Sequence, residues 1–178
     1  MTAAGAPRSP IAWLLSVGVA FFVLNSLLTF ENRWPGFGVS WSPRLSLELC
    51  LGSAILIVWL AWRPALRSRA VNALTLGFVW LVAVRYADVT APAVLGRPVN
   101  IYWDGRHGLE LWRMAAASLP PLQQVVVVCS GLAGLAALVF MVRAAIATLA
   151  RGMGWARPRP VLLSVVAALT LSFAVYEP

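Results

Sequence analysis

An all-α membrane protein with five transmembrane helices is the fold class this sequence predicts, and three observations carry it. Charged residues make up 11% of the chain, against about 25% in water-soluble domains, and 61% of residues are apolar. The apolar residues gather into five runs, at roughly 11–30, 45–62, 70–86, 122–147 and 161–176. A helix needs roughly 20 such residues to cross a hydrocarbon core about 30 Å thick. The third observation is the placement of charge. All 14 basic residues are arginine, and eight of them (Arg8, Arg63, Arg67, Arg69, Arg143, Arg151, Arg157, Arg159) flank the runs on one side with no acid among them. The other side holds Arg33, Arg44, Arg85, Arg97, Arg106 and Arg113 with all six acids, Glu31, Glu48, Asp88, Asp104, Glu110 and Glu177. By the positive-inside rule the arginine-only side is cytoplasmic, so the N-terminus lies inside and the C-terminus outside. The net charge of +8 is therefore a topology signal and not a nucleic-acid signal, although the same arginines suit anionic lipid headgroups.

Lipid offers no hydrogen bonds, so each run must pair its own backbone groups and is read as a helix. Residues 1–10 are small, polar and proline-containing, and form a flexible cytoplasmic tail. The single five-helix domain then occupies 11–178. Its first run has a basic flank at Arg8 but no small-residue cleavage site before Glu31, which predicts a retained signal anchor. The loop 31–43 carries Trp34, Pro35, Gly36, Phe37, Gly38 and Trp41, residues that suit a turn in the headgroup zone. Pro64 ends the second run because it cannot donate within a helix, and 63–69 predicts a tight antiparallel hairpin. Cys50 and Cys129 sit among apolar neighbours and read as small buried hydrophobes. Gly131 and Gly134 give the fourth run a narrow face suited to close helix packing, within a bundle or between subunits. That run is long enough to tilt.

Polar chemistry concentrates in the outer loop 88–121, which holds Arg97, Asn100, Tyr102, Trp103, Asp104, Arg106, His107, Glu110 and Arg113. Pro92, Gly96, Pro98 and Gly105 predict irregular backbone over 90–106. Residues 107–119 then have helical spacing, with Leu109, Trp112, Ala116 and Leu119 on one stripe and Arg106, Glu110 and Arg113 on another. The pairs Arg106/Glu110 and Glu110/Arg113 stand four and three apart, spacings at which side chains meet on a helix. The segment is too short and charged to span, which predicts an amphipathic helix lying on the outer surface. One histidine excludes haem held by two histidines and argues against a histidine-rich zinc site. Arg85 and Asp88 predict a structural ion pair, Glu48 is expected to meet Arg44, and Asn25 and Asn72 are placed to bridge helices. The runs carry no acid at mid-depth, which argues against a proton or ion pathway.

The stretch Arg85-Tyr-Ala-Asp-Val-Thr-Ala-Pro-Ala-Val-Leu-Gly-Arg-Pro-Val-Asn-Ile-Tyr-Trp-Asp104 resembles the membrane portion of bacterial sulfatase-like and lipoteichoic-acid-synthase-like proteins, members of the alkaline phosphatase superfamily. The resemblance implies several N-terminal spans, often five, ahead of an extracytoplasmic catalytic domain. Its metal ligands and nucleophile lie in that domain, so none maps onto this sequence. The expectation is a non-catalytic anchor or scaffold in a bacterial inner membrane. Its outer loop would contact a lipid headgroup, a glycan or a partner protein through Arg97, Arg106, Arg113, Tyr102 and Trp103. Two alternatives stay open. One is a small accessory subunit of a respiratory or photosynthetic membrane complex, holding pigment, quinone or lipid by apolar contact, with His107 as a ligand. The other is a lipid-modifying enzyme using His107, Asp104 and Glu110.

Overall fold

A computed structural model of the chain describes residues 10–33, 37–63, 65–98 and 100–154. The fifth apolar run at 161–176, Arg8, Arg157, Arg159, Glu177, Trp34, Pro35, Gly36 and Pro64 lie outside the described residues. The protein is mostly helical. In chain order come α1 (Pro10–Ser26), β1 (Phe30–Asn32), β2 (Val39–Trp41), α2 (Leu47–Trp62), α3 (Ser68–Leu95), α4 (Ile101–Ala117) and α5 (Pro121–Met153). Among the described residues two helices are long and apolar enough to cross a membrane, α3 over Ser68–Ala93 and α5 over Pro121–Met153, while α1 and α2 are shorter apolar helices.

The helix α5 is the centre of the arrangement and packs on α1, α3 and α2. Its buried residues, Val142, Ala145, Ile146, Leu149, Ala150, Gly152 and Met153, all lie in its second half. They meet Val17, Ala20 and Leu24 of α1 and Leu49, Cys50, Ile57 and Leu60 of α2 in one apolar cluster. At the tightest point the Trp13 indole donates to the Gly152 carbonyl at 3.2 Å, and a Cβ on Gly152 would overlap Val17 Cγ2. The close approach thus falls at Gly152. A Cβ built on Gly131 or Gly134 meets nothing within 4 Å. Those two glycines instead border an open groove of about 850 Å³, shared with Leu27, Phe30 and Val82. Cys50 is buried as expected, whereas Cys129 is exposed on the open half of α5.

Outside the cluster the helices present apolar side chains outward. Leu14, Phe22, Ile55, Trp62, Trp80, Leu122, Val125 and Phe140 are all exposed, Trp62 by 85%. Soluble monomers seldom leave apolar surface this continuous uncovered.

The ends of the elements gather into two groups. The α1 N-terminus stands beside the α5 C-terminus through the Trp13–Gly152 bond. Arg143 of α5 donates to the Asn72 side chain of α3 at 3.0 Å, so Asn72 does bridge two helices. At the opposite end a hairpin not read from the sequence pairs Phe30, Glu31 and Asn32 with Trp41, Ser40 and Val39. Asn25 ties this end together: its amide donates to the Arg44 carbonyl at 2.7 Å and accepts from the Ser46 N–H at 2.8 Å. The α3 helix reaches the hairpin where the Tyr86 hydroxyl donates to the Phe37 carbonyl at 3.1 Å.

Two features depart from the expectation. Arg44 pairs with Glu31 at 3.2 Å, and Glu48 instead accepts from the Ser46 hydroxyl at 2.6 Å. Ser46 is the α2 N-cap and its hydroxyl also takes the Leu49 N–H, so Glu48 is engaged in the cap. The second correction concerns α2 and α3. They follow one another across a short turn, yet they splay apart around an apolar cleft and each packs on α5.

Candidate functional site

The candidate site is the α3–α4–α5 junction, where the outer loop was expected. Much of it is helical. The α3 helix runs on to Leu95, so Asp88, Thr90 and Pro92 are helical, and α4 begins at Ile101 with Gly105 inside it. Pro92 reads as a breaker in sequence, but it sits one turn from the helix end. Its missing N–H removes one bond there without stopping the chain. Gly96 does stop it. At φ +67 it takes the left-handed conformation and returns its N–H to the Pro92 carbonyl at 3.1 Å.

The turn between α3 and α4 is closed by one ion pair. Arg97 places two nitrogens on the two oxygens of Asp104, at 2.5 and 3.1 Å, and Asp104 also accepts from the Asn100 N–H at 2.8 Å. A carboxylate in the first turn reaching back to the residue before the helix satisfies an exposed donor and meets the positive end of the helix dipole. The hydrogen bond from Arg97, and then the one from the Asn100 N–H, hold the Asp104 carboxyl below its ordinary range. Arg97 is raised in turn by the same contact. Spacing could not identify this pair, since seven residues separate its members across a turn whose shape Gly96 sets.

Along α4, His107 Nδ1 stands 3.7 Å from Glu110 Oε2, with both side chains exposed. Glu110 thus meets His107, where the sequence predicted Arg106 and Arg113 as its neighbours. Arg113 is exposed and has no ion-pair partner among the described residues. Arg106 is also exposed and lies two turns earlier on the same face, about 10 Å along the axis. Tyr102 and Trp103 belong to the first turn of α4, and their side chains lie outside the described part. Among the described residues no group of three or more His, Cys, Asp or Glu is arranged to hold a metal ion.

The far end of α4 is held by a residue the sequence did not single out. Gln124, in the first turn of α5, donates to the carbonyls of Ala116 and Leu119 at 2.9 Å each. The Ala116 carbonyl also accepts the Leu119 N–H at 3.1 Å, and Gln124 adds a donor to the final carbonyls of this end from the next helix, across Pro120 and Pro121. A capping amide carries no signature beyond its position after a proline pair.

At the α3 side, Arg85 stands 3.7 Å from Asp88, and it also reaches the Phe30 carbonyl at 3.5 Å. The pair expected from spacing is present, and its arginine additionally joins α3 to the hairpin. The junction therefore offers a helix clamped at both ends, with two exposed guanidinium groups on one face. Such groups bind two oxygens of a phosphate or carboxylate at once. Comparison with protein-family models, curated proteins and solved structures returned no match.

Proposed function

We propose that this chain is a five-span bacterial inner-membrane protein with its N-terminus in the cytoplasm, acting as a non-catalytic anchor or scaffold. The outer segment 88–121 docks an anionic group carried by a lipid headgroup, a glycan or a partner protein. The observation that carries the docking role is α4 itself. Among the described helices it is the one with a strongly charged face, and it is clamped by Arg97–Asp104 at one end and Gln124 at the other. Arg106 and Arg113 are the exposed cations on that face. Arg97 serves the clamp and not the ligand, because both its terminal nitrogens are engaged by Asp104. The membrane reading is supported by the outward apolar side chains and by the lengths of α3 and α5. Its orientation is supported by the arginine-only connections at one end of the bundle. The sulfatase-like wording of 85–104 fits the same anchor role.

The test changes Arg106 and Arg113 to Gln together, which keeps the helix and removes the charge. In mild-detergent purifications the variant should insert normally while co-purifying lipid and protein, measured by mass spectrometry, fall by about tenfold, the equivalent of roughly 1.4 kcal/mol. Wild-type retention should itself weaken between about 0.1 and 1 M salt, where the screening length drops from about 10 to about 3 Å. Unchanged retention in the variant would reduce 88–121 to a connector.

A further inference from the structure

The splayed pair α2 and α3 leaves a cleft of about 610 Å³ that the outer-segment reading does not use. Leu49, Gly52, Leu56 and Trp59 of α2 form one wall, and Ala73 and Gly77 of α3 are part of the other, with α5 at the floor. Among the described lining residues only Ser53 is polar. A Cβ on Gly52 or on Gly77 would meet nothing within 4 Å, so both glycines border open space and neither is required by a contact. From Leu49 to Trp59 the cleft runs about 15 Å, at 1.5 Å per residue, which is half of a hydrocarbon core of about 30 Å.

Charge marks one end of the cleft. Trp59 lines it there, and the Arg63 guanidinium lies over the Trp59 ring at 6.0 Å from its centroid. Arg67 and Arg69 flank the start of α3 at the same end, exposed, and no acid lies between residues 49 and 87. The first turn of α3 has no side-chain cap, so its N–H groups and the positive end of the helix dipole face the same region.

We propose that this cleft is a binding site for an anionic phospholipid. One acyl chain lies between α2 and α3 over a single leaflet, and its phosphate-bearing headgroup rests on Arg63, Arg67 and Arg69. A zwitterionic lipid fits the apolar walls equally well but cancels its own charge against the arginines. Anionic headgroups gain from each guanidinium near the surface.

The test reconstitutes the full-length chain in nanodiscs of equal phosphatidylglycerol and phosphatidylcholine, followed by native mass spectrometry of the released protein. Phosphatidylglycerol should be retained over phosphatidylcholine, by about fivefold for each arginine that contributes. Gly77→Leu and Gly52→Leu fill the cleft from opposite walls, and each should abolish that preference. Arg63→Gln/Arg67→Gln/Arg69→Gln should abolish it with the cleft open. The Arg106→Gln/Arg113→Gln variant should keep it, which separates this site from the outer segment. A photoactivatable phosphatidylglycerol on the wild type should cross-link within 49–59 and 70–81, giving a readout that does not depend on any variant folding. Equal retention of the two lipids, full retention in both leucine variants, or cross-links confined to other helices would overturn the proposal. The last of these outcomes includes the case in which residues 161–176 of the chain fill the cleft.

Discussion

Replacing Gly152 with alanine should unfold the bundle at markedly lower temperature, and replacing it with leucine should do so further. The reason is steric. The added Cβ overlaps Val17 Cγ2 and stands 3.2 Å from the Trp13 indole nitrogen, which already donates to the Gly152 carbonyl. A helical glycine cannot turn away, so α1 must shift and the Trp13 bond is strained or lost. Overpacking of this kind costs roughly 1–3 kcal/mol, and the larger side chain should exceed that range. Gly134→Ala is the control, because its Cβ enters open space and should change stability by no more than about 0.5 kcal/mol. Val17→Ala should rescue Gly152→Ala, and the coupling measured in the double variant assigns the loss to this contact. Thermal unfolding in detergent gives all five variants' values against the wild type. A destabilised Gly134→Ala beside an unaffected Gly152→Ala would mean that α1 and α5 do not cross at Gly152.

Asn25→Leu should be the most damaging polar change. Asn25 is buried and serves both sides of its amide, donating to the Arg44 carbonyl and accepting from the buried Ser46 N–H. Leucine keeps the volume and strands both backbone groups. The buried Ser46 N–H left unpaired costs about 1–3 kcal/mol and the part-buried Arg44 carbonyl less, so a loss of roughly 2–4 kcal/mol is expected. The damage should also be local, appearing as faster amide exchange in 42–49 and the hairpin before the α1–α5 contact opens. Equal stability of Asn25→Leu and the wild type would remove Asn25 from its place as the tie between α1 and α2.

These two residues mark what sequence alone makes legible. The apolar runs locate α1, α2, α3 and α5, because burying or exposing a helix to lipid depends on composition over many residues. The same pattern foresees an amphipathic helix in the outer segment and the Arg85–Asp88 pair, both set by local spacing. It misplaces features that depend on what lies across the bundle. Gly131 and Gly134 have the spacing of a packing face but meet nothing among this chain's described residues, while α1 meets α5 at Gly152, where a single glycine in the last turn of a helix carries no pattern. Arg44 has Glu48 four residues away, but the hairpin brings Glu31 to it. Pro92 and Gly105 suggest irregular backbone, yet α3 continues past the one and α4 through the other, and the turn shrinks to the residues around Gly96. The Arg97–Asp104 clamp and the Gln124 cap follow from that turn and not from any motif. Of the candidate site, therefore, the segment and its exposed arginines are legible, and the clamps that present them are not.

In the proposed topology the arginine-only connections and the α4 segment lie on opposite sides of a membrane. Substituted-cysteine labelling in intact cells tests it most directly, in a Cys129→Ala background that removes the exposed native thiol. Gly105→Cys on α4 and Gly38→Cys in the hairpin place thiols at one end, and Ser68→Cys at the start of α3 places one at the other. An impermeant maleimide should label the first two from outside, and the Ser68 site only after the membrane is opened. Labelling of the Ser68 site in intact cells, with the Gly105 site protected, would contradict that topology.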